Sequence, residues 1–106
     1  MDVLIDIEFL TREMSKSEFD WANISINDQR VGKARCLIEE DRFIIYSVNI
    51  FPEYSGLGYG KQFVESCKDK YDTLLAHNVR FTAIGFWEKM GFVDNNDGHW
   101  LFRRNA

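Results

Sequence analysis

Polar and apolar residues alternate along the first half of the chain. Residues 2–10 set Val3, Ile5, Ile7 and Phe9 on one side and Asp2, Asp6 and Glu8 on the other, the two-residue period of a half-buried strand. Residues 11–20 lose that period and leave room for one short helix at most. The alternation resumes over 21–27, with Ala22, Ile24 and Ile26 on one face, and Asn27-Asp28-Gln29 supplies turn chemistry. Over 30–39, Gly32, Ala34, Cys36 and Ile38 share a face opposite Val31, Lys33, Arg35 and Leu37. Glu40-Asp41 turns the chain into 42–51, where Phe43-Ile44-Ile45-Tyr46 has no polar alternation. Such a run is expected of a central strand covered on both sides. The first half therefore predicts an antiparallel meander.

The period then changes. Phe63, Val64, Cys67 and Tyr71 recur at helical spacing behind a cluster of glycines. Thr73-Leu74-Leu75-Ala76 is short and apolar, a buried strand. Ala83, Phe86, Trp87 and Met90 mark a second helix that Gly91 ends. Residues 92–104 return to strand character around Asn95-Asn96-Asp97-Gly98. The predicted order is β, a short α, three β, then α, β, α and two β: an α+β fold around a mixed sheet.

Composition narrows the classes. The 106 residues suit a single domain over 1–106, and 45% apolar content provides a core. No run approaches the roughly 18–20 apolar residues of a membrane span, and the start of the chain has no basic segment of a signal peptide. A cytoplasmic protein is expected, with no membrane partner. The net charge of −4 argues against nucleic acid as a partner. Cys36, Cys67, His77 and His99 match no metal-ligand spacing, so no metal is expected and both thiols are read as buried.

The candidate chemistry lies in Ser55-Gly56-Leu57-Gly58-Tyr59-Gly60-Lys61, between the central strand and the first long helix. Glycines leave amide N–H groups unobstructed, and a helix that starts there adds its positive end, which suits a pyrophosphate. The first helical turn carries Lys61 and no acid before Glu65, although a cation there costs about 0.3–1 kcal/mol. A ligand's negative charge would explain that choice. A P-loop would need Gly at position 55 and Ser or Thr at 62, where Ser55 and Gln62 stand. A dinucleotide fingerprint would follow the first strand of a βαβ series, not a meander.

Two segments, in this order, resemble the GNAT acetyltransferase superfamily. Ile50-Phe51-Pro52-Glu53-Tyr54 followed by the glycine turn resembles that family's strand-to-helix motif. Arg80 to Phe92, which contains Phe86-Trp87-Glu88-Lys89-Met90-Gly91-Phe92, resembles its later helix. The resemblance implies a mainly antiparallel central sheet flanked by helices, with a truncated N-terminal helical region. It also implies acetyl-CoA as co-substrate and a primary amine as acceptor. Val48, Asn49 and Ile50 would pair with pantetheine, Ser55 to Lys61 would hold the pyrophosphate, and Phe86 and Trp87 would lie beside the thioester. A bulge common in relatives fits near Asn49, and the Ile50 N–H is the implied oxyanion donor.

Several residues depart from the family pattern. Ser55 replaces a Gln or Arg, Arg80 an Asn, and Trp87 the Tyr that often gives a proton to the leaving thiolate. Candidates for the base are Glu53, Tyr46 and His77. With residues 11–20 too short to wall the acceptor groove, a protein or peptide acceptor is expected. Glu8, Glu13, Glu18 and Asp20 would favour a cationic one. A partner subunit, as in a homodimer, could complete that wall. The alternative is a weak or inactive CoA-binding regulatory protein on the same scaffold.

Overall fold

The computed structural model describes residues 4–104, so Asp2 and Val3 of the first expected strand lie outside the described residues. The elements are β1 (Ile5–Leu10), α1 (Arg12–Ser15), β2 (Asp20–Ile26), β3 (Gln29–Ile38), β4 (Phe43–Ile50), α2 (Tyr59–Lys70), β5 (Thr73–Ala76), α3 (Ile84–Lys89), β6 (Val93–Asp94) and β7 (Trp100–Arg103). They form the α+β fold expected, around one seven-stranded sheet in the order β1-β2-β3-β4-β5-β7-β6. The meander β1 to β4 is antiparallel throughout, and β4–β5 is the parallel pair. None of the described helices is long and apolar enough to cross a membrane.

One face of the sheet carries the core. Ala22 and Ile24 of β2, Ala34 and Cys36 of β3, Phe43 and Ile45 of β4, and Leu74 and Ala76 of β5 meet Phe63, Val64 and Cys67 of α2. Trp87 of α3 packs on Phe92, which packs in turn on Phe102 of β7, on this same face. Lys68 of α2 donates to the Met90 carbonyl and so ties the end of α3 to its neighbour. The two longer helices therefore share one side. The run Phe43–Tyr46 is not covered on both sides as its composition suggests. Ile44 is 6% exposed but stands outside the core cluster, shielded by neighbouring strands rather than by a second layer.

Two bulges correct the simple alternation. Ser25 pairs with Arg30 and Ile24 with Gly32, so Val31 is an extra residue and turns into the core instead of away from it. Gly32 must lack a side chain, because a Cβ there would stand 2.5 Å from the Asn49 carbonyl oxygen.

Helix α1 is a single turn, capped by Thr11, in place of a helical layer. It is held by Asp20, which is 2% exposed. Its carboxylate accepts from the Arg12 and Ile38 amides, each at 2.6 Å, and lies 3.4 Å from the Arg12 guanidinium. Asp20 is thus a structural latch and not part of an acidic surface. Both cysteines are buried and unpaired; burial, reinforced by Asp20, pushes the Cys36 thiol up to about 12, and burial does the same to Cys67.

Candidate functional site

The sheet opens into a fork between β4 and β5, and two local causes hold it open. The first is in β4. The Arg42 carbonyl accepts from Glu39 of the preceding turn, while nine residues on the Phe51 N–H donates to Val31 on the β3 side. Regular alternation would aim residues of the same parity at β3, so one residue must be extra. It is Tyr46, since Arg35 pairs with Ser47 and Cys36 with Ile45. Beyond the bulge, Val48 and Ile50 aim their amides and carbonyls away from β3, into the fork. The bulge therefore falls at Tyr46, three residues before the Asn49 position expected.

The second cause is in β5. Its last bond to β4 runs from the His77 N–H to the Ile45 carbonyl, at 2.9 Å. The next residues are drawn off to the turn before β7. The Asn78 N–H donates to His99 Nδ1 at 2.9 Å, and the Val79 N–H to the Gly98 carbonyl at 2.8 Å. Asn78 sits at φ +46, a conformation that Asn tolerates better than most residues.

At the mouth of the fork, the chain leaves β4 through the turn Pro52–Tyr54 and enters α2 at Gly58. Gly58 is the N-cap with φ +83, and no side chain caps the helix. The first turn of α2 contains no acid. Gly56 also has positive φ, and a Cβ on either glycine would meet nothing within 4 Å. These glycines answer to backbone conformation rather than to packing, and the space above their amides is open. Free amides, a helix N-terminus and an open approach fit a pyrophosphate.

The fork is a cleft of about 560 Å³. Val48, Ile50, Gly60, Ala83, Phe86 and Trp87 line its helix side, and Arg35, Tyr46, Ser47 and His77 carry it through to the other face. The Arg35 Nε is buried without a hydrogen-bond partner, and its guanidinium lies over the rings of Phe19 and Tyr46, at 4.8 and 5.9 Å. On the uncovered face a second cavity of about 600 Å³ spreads over β4, β5 and β7. Tyr46 and His77 line both cavities. Their rings pack at 4.3 Å, and His77 packs on His99 at 4.5 Å. Burial, then the neighbouring His99 and Arg35, hold the His77 imidazole below its ordinary value, so it stays neutral at pH 7.

The expected site residues divide by place. Val48, Ile50, Gly60, Phe86 and Trp87 converge on the cleft. Gly58, Leu57 and Lys61 face a separate groove of about 530 Å³ along α2. Ser55 is exposed on the turn, where its hydroxyl donates to the Pro52 carbonyl, and Tyr59 opens the helix packed against the core. Asn49 aims its backbone at β3 and does not line the cleft. Glu53 is exposed on the outer turn and is not brought to the cleft either. Sequence reasoning missed Arg35 and the Asn78–His99 contact, both of which depend on strands distant along the chain.

Comparison with known proteins gives three findings. The family description "Acetyltransferase (GNAT) domain" matches residues 20–94. An uncharacterized N-acetyltransferase of Oceanobacillus iheyensis is 33% identical over 54 residues, a stretch that is 51% of this chain and only 33% of that protein. Among solved structures, the Bacillus subtilis N-acetyltransferase YlbP in complex with coenzyme A is similar with a TM-score of 0.62 at 19% identity, covering 80% of this chain and 68% of that one. The ribosomal-protein-S18-alanine N-acetyltransferase of Escherichia coli gives a TM-score of 0.67 at 14% identity, covering 94% of each chain. At such identities the likeness to these two structures is one of fold.

Proposed function

Because the chain belongs to the GNAT acetyltransferase family, we propose that it is a cytoplasmic N-acetyltransferase that moves the acetyl group of acetyl-CoA onto a primary amine. One observation carries this reading. The fork at Val48–Ile50 opens beside an uncapped, acid-free helix start whose glycines adopt positive φ. Acetyl-CoA, when bound, supplies an activated thioester carbonyl. The amides of Gly56 to Lys61 would hold its pyrophosphate, and the free backbone of Val48 and Ile50 would pair with pantetheine as an added strand. The Ile50 N–H would polarise the thioester oxygen. Phe86 and Trp87, in edge contact at 5.0 Å, would wall the reacting end.

The acceptor would approach from the uncovered face. With α1 reduced to one turn, that side has no helical wall, and an open face suits a polypeptide amine better than a small amine held in a closed pocket. The structural neighbour from Escherichia coli, a ribosomal-protein-S18-alanine N-acetyltransferase, supports that class. At the second cavity Asp41 and Asp97 are balanced by Arg42 and Arg103, and Asp20 is buried, so the lining charge does not select a cationic acceptor.

A second reading, a CoA-binding regulatory protein with little activity, is favoured by Trp87. Its indole N–H donates a hydrogen bond but does not supply a proton at neutral pH. Labelled acetyl-CoA offered with small amines, lysine peptides and whole proteins, at low and moderate salt, separates the readings. Transfer to a polypeptide amine is expected. Strong transfer to a small polyamine, insensitive to salt, would overturn the open-face assignment, and binding without transfer to any acceptor would favour the regulatory reading.

A further inference from the structure

We propose that His77 is the proton acceptor of the transfer, taking the amine's proton directly at the fork; this deepens the N-acetyltransferase reading and rests on it. Among the described residues, no carboxylate lines the cleft. Arg35 and Arg80 present only N–H donors, and Tyr46, Ser47, Asn78 and Trp87 present hydroxyl, amide or indole groups, none of them an imidazole or carboxylate. The imidazole of His77 is the one lining group with a lone pair suited to accept a proton.

Its position fits the role. His77 makes the last β4–β5 hydrogen bond, so its ring stands where the two strands part. It lines both the cleft and the cavity on the uncovered face, hence the passage between cofactor side and acceptor side. The groups around it are Arg35 of β3, Tyr46 of β4, and His99 with Asp97 from the turn before β7. His99 Nδ1 accepts from the Asn78 amide, which fixes His99 beside His77 and leaves its proton on Nε2 in the neutral form. Burial, then the neighbouring His99 and Arg35, disfavour the protonated form of His77 and hold its imidazole below its ordinary value before the amine arrives.

The step balances without a further reagent. The amine nitrogen bonds to the acetyl carbon, the carbon–sulfur bond breaks, and the sulfur leaves with its electron pair and takes a proton from solvent. The nitrogen's surplus proton passes to the His77 imidazole and then, through the open cavity, to water.

The test uses the full chain with hydroxylamine, a small nucleophile counted by its free-base concentration because it too gains a proton below neutral pH. Three quantities are measured: the affinity for acetyl-CoA by calorimetry, the His77 ring titration by NMR with acetyl-CoA bound, and the pH profile of kcat/KM for hydroxylamine at saturating acetyl-CoA. His77 is expected to titrate below 6.5, its ordinary value, and the acid limb of kcat/KM should share that midpoint. His77→Gln should bind acetyl-CoA as the wild type does, lose the acid limb, and lose about 10²–10⁴-fold in kcat/KM. Wild-type rate and limb in that variant would overturn the inference. So would a limb that does not follow the His77 titration. Wild-type protein that fails to bind acetyl-CoA, or that binds it and transfers nothing, would instead overturn the proposed function itself.

Discussion

On the helix side of the sheet, Phe43, Ile45, Leu74 and Phe63 meet in a core that excludes water, and the fork that opens there is walled by Phe86 and Trp87. On the other side Ile44, Leu75 and Leu101 lie under no second layer, among Tyr46, His77, His99 and Arg103. The difference follows from chain length between β1 and β2. A single turn of helix, pinned by Asp20, stands where a layer would need two full helices. One face is therefore built for stability. The other is left open, and under the proposed function it is the side the acceptor approaches.

Cutting into each face should give unequal results. Phe63→Ala removes a fully buried ring and should cost about 3–5 kcal/mol in urea unfolding. Leu101→Ala on the open face should cost on the order of 1 kcal/mol. Equal losses would mean that the open face is a second core. The latch comes next in size. Asp20→Ala leaves the Ile38 amide without its acceptor and should cost about 2–3 kcal/mol, whereas a value near zero would remove Asp20 from the explanation of the short N-terminal region.

Trp87→Tyr probes the boundary between the two regions. The substitution keeps an aromatic of similar shape at a site 8% exposed, so a stability change of less than about 1.5 kcal/mol is expected. The acetyl-transfer rate should hold or rise, because the phenol can give the proton that the indole cannot. A large drop in rate with stability intact would show that the indole itself is needed. The smallest effect is one of pH. His77 is held below its ordinary value, so the unfolded chain binds more protons between that lowered value and 6.5. Stability should therefore fall as the pH drops through this window, and His77→Gln should flatten that slope.

The meander, the two longer helices and the glycine turn were legible because each rests on a local signal: a period of two, a period of 3.6, or a residue that takes positive φ without steric cost. The shape of the fork was not. The bulge at Tyr46 exists only relative to Arg35 and Cys36 on β3, and the splay depends on Asn78 meeting His99 from the far end of the chain. A polar residue at the end of an apolar run, followed by Ser47, was the available hint of the bulge. Glu53 looked suitable as a base by chemistry and by closeness in sequence to the glycines. The turn Pro52–Tyr54 points it outward, which no periodicity foretells. Sharing of one face by both helices was also hidden, since Ile44 and Leu75 are apolar whether or not a layer covers them.

The most direct measurement is a calorimetric titration of acetyl-CoA into the wild type and into Gly58→Val, with near-ultraviolet circular dichroism to check that both are folded. Gly58 sits at φ +83 with open space above it, so valine there strains the turn that presents the helix amides and obstructs approach to them while meeting no core residue. Saturable binding is expected in the wild type, with a thermal stabilisation near 2.7 kcal/mol at about 100 times Kd. The folded variant should show none. Equal affinity in the two proteins would contradict the assignment of the glycine turn and the fork as the cofactor site.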